Sequence, residues 1–315
     1  MEQKSKIPTV LIAPLDWGLG HASRCMPIIR RMVEVGHDVI LASNGRSKEL
    51  LKRTFPNLEF TPDPPDYSIT YPSKGSFALH FGKQIPQILK SIEEEEIWAK
   101  QICKEYKIDQ IISDNRYGLH SSECTSVIIT HQTSPRFPWL IRWYSNRYFK
   151  KWNEQFDYCW IPDEKPIERS FGGALSHKNV PKNAQYIGIL SRFTNQVYTA
   201  STDYSVVVLI SGPEPQRSIF HEKMKRRFEG KATSVLMVCG TPENRNDNRE
   251  ANIREVSHME DEVLAPFLKG AELVISRSGY SSIMDFAALG LKNVEYHATP
   301  GQTEQEYLKK WTKKR

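Results

Sequence analysis

The sequence predicts an α/β protein of two doubly wound domains, each a parallel sheet wrapped by helices, and three observations carry that prediction. Short apolar runs bounded by Gly, Pro, Asp or Asn recur along the chain with amphipathic stretches between them, as β-α units on a parallel sheet require. The 315 residues exceed one core, since domains run to roughly 100–200 residues. A composition of 39% hydrophobic and 25% charged residues is that of an ordinary globular protein, and no apolar run approaches the ~20 residues of a membrane-spanning helix. A helical integral membrane protein is excluded.

Strands are expected at residues 9–13, 37–42, 58–61, 110–113, 126–130, 158–161 and 185–187, then at 205–210, 234–238, 253–256, 273–276 and 293–296. A helix over 22–35 sets Met26, Ile29, Met32 and Val33 on one side and stops at Gly36, suited to the left-handed residue that ends many helices. Another, over 85–106, carries Ile85, Ile88, Leu89, Ile92, Ile97 and Ile102. Its four acids from Glu93 to Glu96 read as a solvated face, because consecutive carboxylates on one helix cannot converge on a metal. Residues 67–76, rich in Pro, Ser, Tyr and Gly, read as a surface loop. The polar stretch after Ile187 places the linker, giving domains over residues 1–190 and 191–315.

Charge and cysteine usage narrow the function classes. The excess of 43 basic over 37 acidic residues favours an anionic ligand but does not mark a nucleic-acid binder. Cysteines 25, 103, 124, 159 and 239 include no C-x-x-C pair and read as reduced, mostly buried thiols. The few apolar residues before Pro14 are too short for a secretory signal, so the expected location is cytoplasmic. Basic and aromatic residues interleave from Arg136 to Trp152, which suits either an anionic membrane surface or half-buried packing.

Candidate chemistry collects at strand ends. The first strand runs into a turn carrying Gly18, Gly20 and His21, then a helix whose free N–H groups suit an anion. It is no dinucleotide fingerprint: Ser23 stands where the third glycine belongs, and the second strand ends Ala42-Ser43-Asn44 without a ribose-binding carboxylate. His21 offers a proton acceptor near neutral pH, or else caps the turn or packs on Trp17. Asp114 reaches the same edge, either to orient His21 or to cap a helix, followed by Asn115 and Arg116. His131 ends the next strand, as an acceptor contact or as polar rim.

In the second half Ser211 and Gly212 open a loop that reaches Arg217, where a phosphate could rest although the Walker ending is missing. Arg277, Ser278, Gly279, Tyr280, Ser281 and Ser282 join a strand to a helix whose amides, hydroxyls and positive end make a diphosphate seat. Asp285 lies about one turn further in, placed to accept from two ribose hydroxyls. Gln302, Glu304 and Gln305 offer the donors and acceptors that sugar hydroxyls need, although Gln302 or Thr303 equally caps a helix.

Taken in order, these segments resemble a GT-B glycosyltransferase of the MurG-like type, close to the UDP-glycosyltransferases. The run from Arg277 to Asp285 is similar to that family's arginine-serine-glycine donor motif, with Asp285 for its usual Glu. The run from Pro300 to Glu306 resembles its Gln-containing loop at the donor sugar, and Gly18 to His21 its first glycine loop, which ends in a basic histidine. Asp114 stands where the UDP-glycosyltransferases place a partner aspartate, while the loop from Ser211 to Arg217 has fewer glycines than its counterpart.

The resemblance implies two Rossmann-like domains facing a cleft. Gly18, Gly20, Asn115, Arg116 and His131 of the first would serve the acceptor; Ser211, Gly212, Arg217, residues 277–282, Asp285, Gln302, Glu304 and Gln305 of the second would hold a UDP-sugar. It further implies that His21, supported by Asp114, deprotonates a hydroxyl of a lipid-linked or saccharide acceptor, which attacks the anomeric carbon with inversion. UDP then leaves toward the helix N-terminus, with no metal or other cofactor. Arg136 to Trp152 would touch the inner face of the membrane. Family members continue beyond the helix near which this chain stops at Arg315, so a shortened C-terminal part is expected. A UDP-sugar-binding protein with little transfer, and a GT-B nucleotide-sugar 2-epimerase, are the rival readings.

Overall fold

The computed structural model describes residues 6–67, 77–136, 139–194 and 196–314. Its first half comprises β1 (Thr9–Pro14), α1 (Leu19–Glu34), β2 (Asp38–Leu41), α2 (Gly45–Thr54), β3 (Glu59–Phe60), α3 (Phe77–Glu105), β4 (Gln110–Asp114), β5 (Thr125–Ile129), α4 (Trp139–Asn153), β6 (Tyr158–Ile161), α5 (Ala174–His177) and β7 (Ala184–Tyr186). The second comprises β8 (Val206–Leu209), α6 (Gln216–Phe228), β9 (Val235–Val238), β10 (Asp247–Glu250), β11 (Ile253–Val256), α7 (Asp261–Gly270), β12 (Leu273–Arg277), α8 (Tyr280–Ala288), β13 (Val294–His297) and α9 (Thr303–Thr312).

Two sheets result, ordered β3-β2-β1-β4-β5-β6-β7 and β10-β11-β9-β8-β12-β13. All pairings are parallel except β10 with β11. Each sheet starts near its middle and winds outward both ways, so the strand order reverses beside β1 and β8, where such sheets open a crevice for ligands. Register sets Pro14 opposite Asp114 and Arg277 opposite His297 at those edges.

Every expected strand is present, its ends displaced by at most one residue. The additional strand, β10, is Asp-Asn-Arg-Glu, exposed throughout. With no apolar alternation it is invisible to periodicity. Its ladder to β11 and the Arg254–Asp247 ion pair hold it in place.

Strands covered on both faces must be apolar at nearly every position. Val10 and Ile12 turn to α1, packing on Cys25, Met26 and Ile29, while Leu11 and Ala13 turn to Ala99 and Ile102 of α3. Helix α1 ends as expected: Gly36 has φ +85°, its N–H bonds Val33 O, and the His37 N–H bonds Met32 O. Three expectations are corrected. Val33 is 45% exposed on α1, and on α3 Ile85 and Leu89 are each 42% and Ile97 70% exposed, so these apolar side chains face solvent and not the core. Glu95 is fully buried, since that turn of α3 covers the loop after β4: its carboxylate accepts from Tyr67 Oη at 2.6 Å and Gly118 N at 3.0 Å and pairs with Arg116 at 2.7 Å. Of the expected loop over 67–76, Tyr67 is buried and residues 68–76 lie outside the described residues.

The chain leaves the first sheet at Tyr186 and enters the second at Val206, with Phe193 already in the second core. On one side of the cleft Arg30 donates to Arg192 O at 3.0 Å, Arg53 to Pro242 O at 2.8 Å, and Arg46 to Gly240 O. On the other, α9 crosses back onto the first domain: Trp311 Nε1 donates to Ser170 O, Ala174 N to Tyr307 Oη, both at 2.9 Å, and Leu308 packs on Phe171 and Leu175.

Candidate functional site

Between the carboxyl edges of the two sheets lies a cavity of about 800 Å³, a size typical of small-molecule sites. The helix N-termini of α1, α8 and α9 open onto it. Gly18 holds φ +102° to turn the chain into α1, and Ser281 Oγ donates to Gly20 O at 2.9 Å from the facing helix. A Cβ at Gly20 would stand 3.2 Å from that hydroxyl, so glycine permits the close approach. Each N-terminus presents unpaired N–H groups and a partial positive charge.

Arg277 adds a full charge. Its guanidinium donates to Ala298 O and Gln216 O, both at 2.9 Å, and stacks 4.2 Å above the Phe220 ring. Nε has no hydrogen-bond partner, and no carboxylate pairs with the group, among the described residues. Burial pushes its pKa down to about 10. A buried cation without a counter-charge in a cleft wall favours an incoming anion.

On the first domain, His21 Nδ1 lies 3.1 Å from Asp114 Oδ1 and 2.9 Å from an Arg24 guanidinium nitrogen. Asp114 is wholly buried and also takes Arg24 Nε at 2.8 Å on Oδ2 and a second Arg24 nitrogen on Oδ1. Burial alone would raise this carboxyl; the Arg24 and His21 charges overcome it and hold it far below the usual carboxylate range. Arg24 also donates to His131 Nδ1 at 2.9 Å. Since arginine only donates, His131 must accept there and carry its hydrogen on Nε2, which points to Glu304 Oε1 at 2.8 Å. A continuous polar chain thus runs from His21 through Asp114, Arg24 and His131 to Glu304 in α9. His131 further stacks on Tyr280, with ring centroids 4.2 Å apart.

The remaining wall is aromatic. Tyr117, Phe149 and Trp152 pack on one another at 5.3–5.6 Å, and Trp17, Tyr67 and Ile88 line the cavity beside them. The stretch from Arg136 to Trp152 is therefore divided. Phe149 and Trp152 face the cavity, whereas Trp143 is 66% exposed with the Arg147 guanidinium 5.8 Å from its ring. Residues 137–138 lie outside the described residues. Among the described residues no helix is long and apolar enough to cross a membrane.

Of the expected residues, Gly18, Gly20, His21, Asn115, His131, Ser211, Gly212, Arg277, Gly279, Tyr280, Ser281, Ser282, Gln302, Glu304 and Gln305 line the cavity, with Asp114 directly behind His21. Four are placed elsewhere. Arg116 is buried against Glu95, Asn44 Oδ1 and Pro65 O, so it braces the loop after β4. Arg217 bends back to Glu214 and to Cys239 O. Ser278 is buried and donates to Gln305 O at 2.8 Å, tying the start of α8 to the first turn of α9. Asp285 faces the linker: Oδ1 accepts from Ser191 Oγ at 2.6 Å, Oδ2 from Arg192 Nε at 3.2 Å, and Arg192 continues to Asp261 at 3.0 Å. Its one-carbon-shorter side chain is spent on that contact and does not line the cavity.

Sequence reasoning missed Arg24, Arg46, Lys310 and most of the aromatic wall. The available signal for Arg24 was its place one turn after His21 on the same helix face. Away from the cavity, His221, Cys239 and Glu255 bring one nitrogen, one sulfur and one oxygen within 4.8 Å of one another, with the Lys225 ammonium 3.2 Å from Glu255.

Two doubly wound sheets facing a cleft, bridged by α9, match the GT-B fold. No family model matches the chain. In sequence it is 23% identical over 314 residues to a protein of Methanosarcina acetivorans named as an uncharacterized glycosyltransferase, spanning 92% of this chain and 79% of that one. Among solved structures, it superposes on the spinosyn rhamnosyltransferase SpnG with a TM-score of 0.61 at 13% identity, covering 95% of this chain and 83% of that one. SpnG has also been solved with thymidine diphosphate. The Arabidopsis thaliana glycosyltransferase UGT89C1, solved with UDP-L-rhamnose, gives a TM-score of 0.56 at 12% identity, over 96% and 82% of the two chains. The chain thus resembles the GT-B UDP-glycosyltransferases along nearly its whole length.

Proposed function

We propose that this protein transfers a hexosyl group from a nucleoside diphosphate sugar, a UDP-sugar, to a hydroxyl of an acceptor with an apolar body, such as a lipid-linked saccharide. The observation that carries the proposal is Arg277, a buried cation without a counter-charge, in the wall onto which the N-termini of α1 and α8 open. A diphosphate supplies the missing negative charge and accepts from the free amides. The relatives named above agree with sugar transfer, and SpnG and UGT89C1 were solved with diphosphate ligands of this class.

His21 takes the acceptor proton on Nε2 in the tautomer whose Nδ1–H donates to the ionised Asp114 instead of accepting from Arg24. The freed oxygen attacks the anomeric carbon from the face opposite the diphosphate, which leaves toward Arg277 with inversion. Charge developing on the leaving group is met by Arg277 and the helix termini, so the step as proposed draws on no divalent metal. Gln302 and Gln305 border the donor sugar. The acceptor's apolar part lies on Trp17, Tyr67, Tyr117, Phe149 and Trp152. Trp143 and the basic residues of α4 support a peripheral contact with anionic lipid.

The test is release of nucleotide from a panel of UDP-sugars with lipid-linked and free saccharide acceptors. Acceptor-dependent release that falls 100-fold or more in His21→Ala, with nucleotide binding retained, is expected, since general bases contribute roughly 10²–10⁴-fold. Acceptor-independent epimer release, or unchanged turnover in His21→Ala, would overturn the reading.

A further inference from the structure

Two cysteines outside the cleft touch one another. Cys103, near the end of α3, and Cys124, just before β5, hold their Sγ atoms 3.4 Å apart. They come from different elements of one apolar cluster, with Ala99, Ile102 and Ile108 around them, so the fold itself sets their approach. No other pair of sulfurs makes such a contact among the described residues. Cys103 is 4% exposed and Cys124 half-buried, so small molecules reach the pair from the Cys124 side.

We propose that Cys103 and Cys124 are a reversible two-electron oxidation site that closes to an intramolecular disulfide with hydrogen peroxide as oxidant. Hydrogen bonds from the Cys124 thiol and the Ser121 hydroxyl lower the Cys103 thiol against the effect of burial, whereas Cys124 is raised. Cys103 is accordingly the nucleophile of the pair. Its thiolate attacks one peroxide oxygen and the O–O bond breaks, leaving a sulfenic acid on Cys103 and a hydroxide that takes up the proton Cys103 lost. Cys124 sulfur then attacks Cys103 sulfur; the S–S bond forms as the S–O bond breaks, and the hydroxyl departs with the Cys124 proton as water. Two thiols are oxidised by two electrons while one peroxide becomes two waters. The sulfur atoms must close from 3.4 Å to the ~2.05 Å of a disulfide, a local movement at the end of α3.

The cross-link would staple α3 to the start of β5. That edge of the first sheet is opposite the one bearing Asp114 and His131, roughly 16 Å away along the strand, so the site is separate from the cleft.

The full chain would be treated with a few equivalents of hydrogen peroxide, alkylated, digested without reductant and analysed by mass spectrometry. The expected product is a peptide pair joined through Cys103 and Cys124, about 2 Da lighter than its reduced parts and separated again by dithiothreitol. In Cys124→Ser the cross-link is lost and dimedone traps a sulfenic acid on Cys103. Recovery of both residues as alkylated thiols, or of sulfinic acid on either without a joined peptide, would overturn the proposal. The deciding result is read on the wild-type chain, so it stands whether or not the variant folds.

Discussion

His131 Nε2 lies 2.8 Å from Glu304 Oε1, joining the end of the first sheet to the first turn of α9 across the domain boundary. Gln132 Nε2 reaches the other oxygen of the same carboxylate at 2.5 Å. Burial pushes His131 down against the pull of Glu304, while His131, His21 and Arg24 hold Glu304 below its ordinary value despite burial. Glu304 therefore fastens the loop before α9 to the first domain.

Removing either partner should loosen that loop. His131→Ala and Glu304→Gln are each expected to lose about 1–3 kcal/mol of stability and to speed hydrogen exchange of amides 299–306, while exchange in β8 and β9 stays at the wild-type rate. Unchanged exchange in the loop would show that the contact does not hold it.

Asp285 separates what the resemblance implies from what the geometry supports. Its carboxylate is engaged by Ser191 and Arg192, and burial pushes its pKa up. Asp285→Asn should lower the melting temperature, at a cost of about 1–3 kcal/mol, yet leave UDP affinity within twofold of wild type. A tenfold loss of affinity at unchanged melting temperature would mean that the carboxylate serves the ribose after all.

Acid should destabilise the fold through buried histidines. Burial, reinforced by the Arg53 and Arg192 charges, pushes His258 down to about 4 from its ordinary 6.5. Between those values the unfolded chain binds more protons than the folded one. The contribution is fully present above about pH 6.5 and is lost as pH falls toward 4, a change of at most roughly 3 kcal/mol. His131 shifts in the same direction and adds to it. Urea denaturation at pH 7 and 4.5 should show a smaller loss in His258→Gln than in wild type; equal losses would remove His258 from the account.

The fold was legible because both sheets are covered on two faces, so their strands are short, nearly unbroken apolar runs such as residues 206–209 that stand out between polar stretches. Strand β10 and buried Glu95 were not, since their places depend on a ladder and an ion pair between residues distant in sequence. Within the site, residues on glycine turns at strand ends could be read from local spacing. Arg24 could not, because a basic residue on a helix is ordinarily solvated, and only the fold brings Asp114 and His131, 90 and 107 residues away, onto its guanidinium. At Asp285 the spacing from Arg277 matches a motif, whereas the shorter side chain meets the linker.

The central claim is that the cleft between the domains seats a nucleoside diphosphate on Arg277 and the facing helix ends. Calorimetric titration of UDP, with ADP and NADH as controls and no divalent metal, into wild type and Arg277→Gln tests it most directly. Metal-free UDP binding that weakens at least tenfold, about 1.4 kcal/mol, in the variant is expected. Absence of UDP binding to the wild-type chain, or equal affinity without the Arg277 charge, would contradict it.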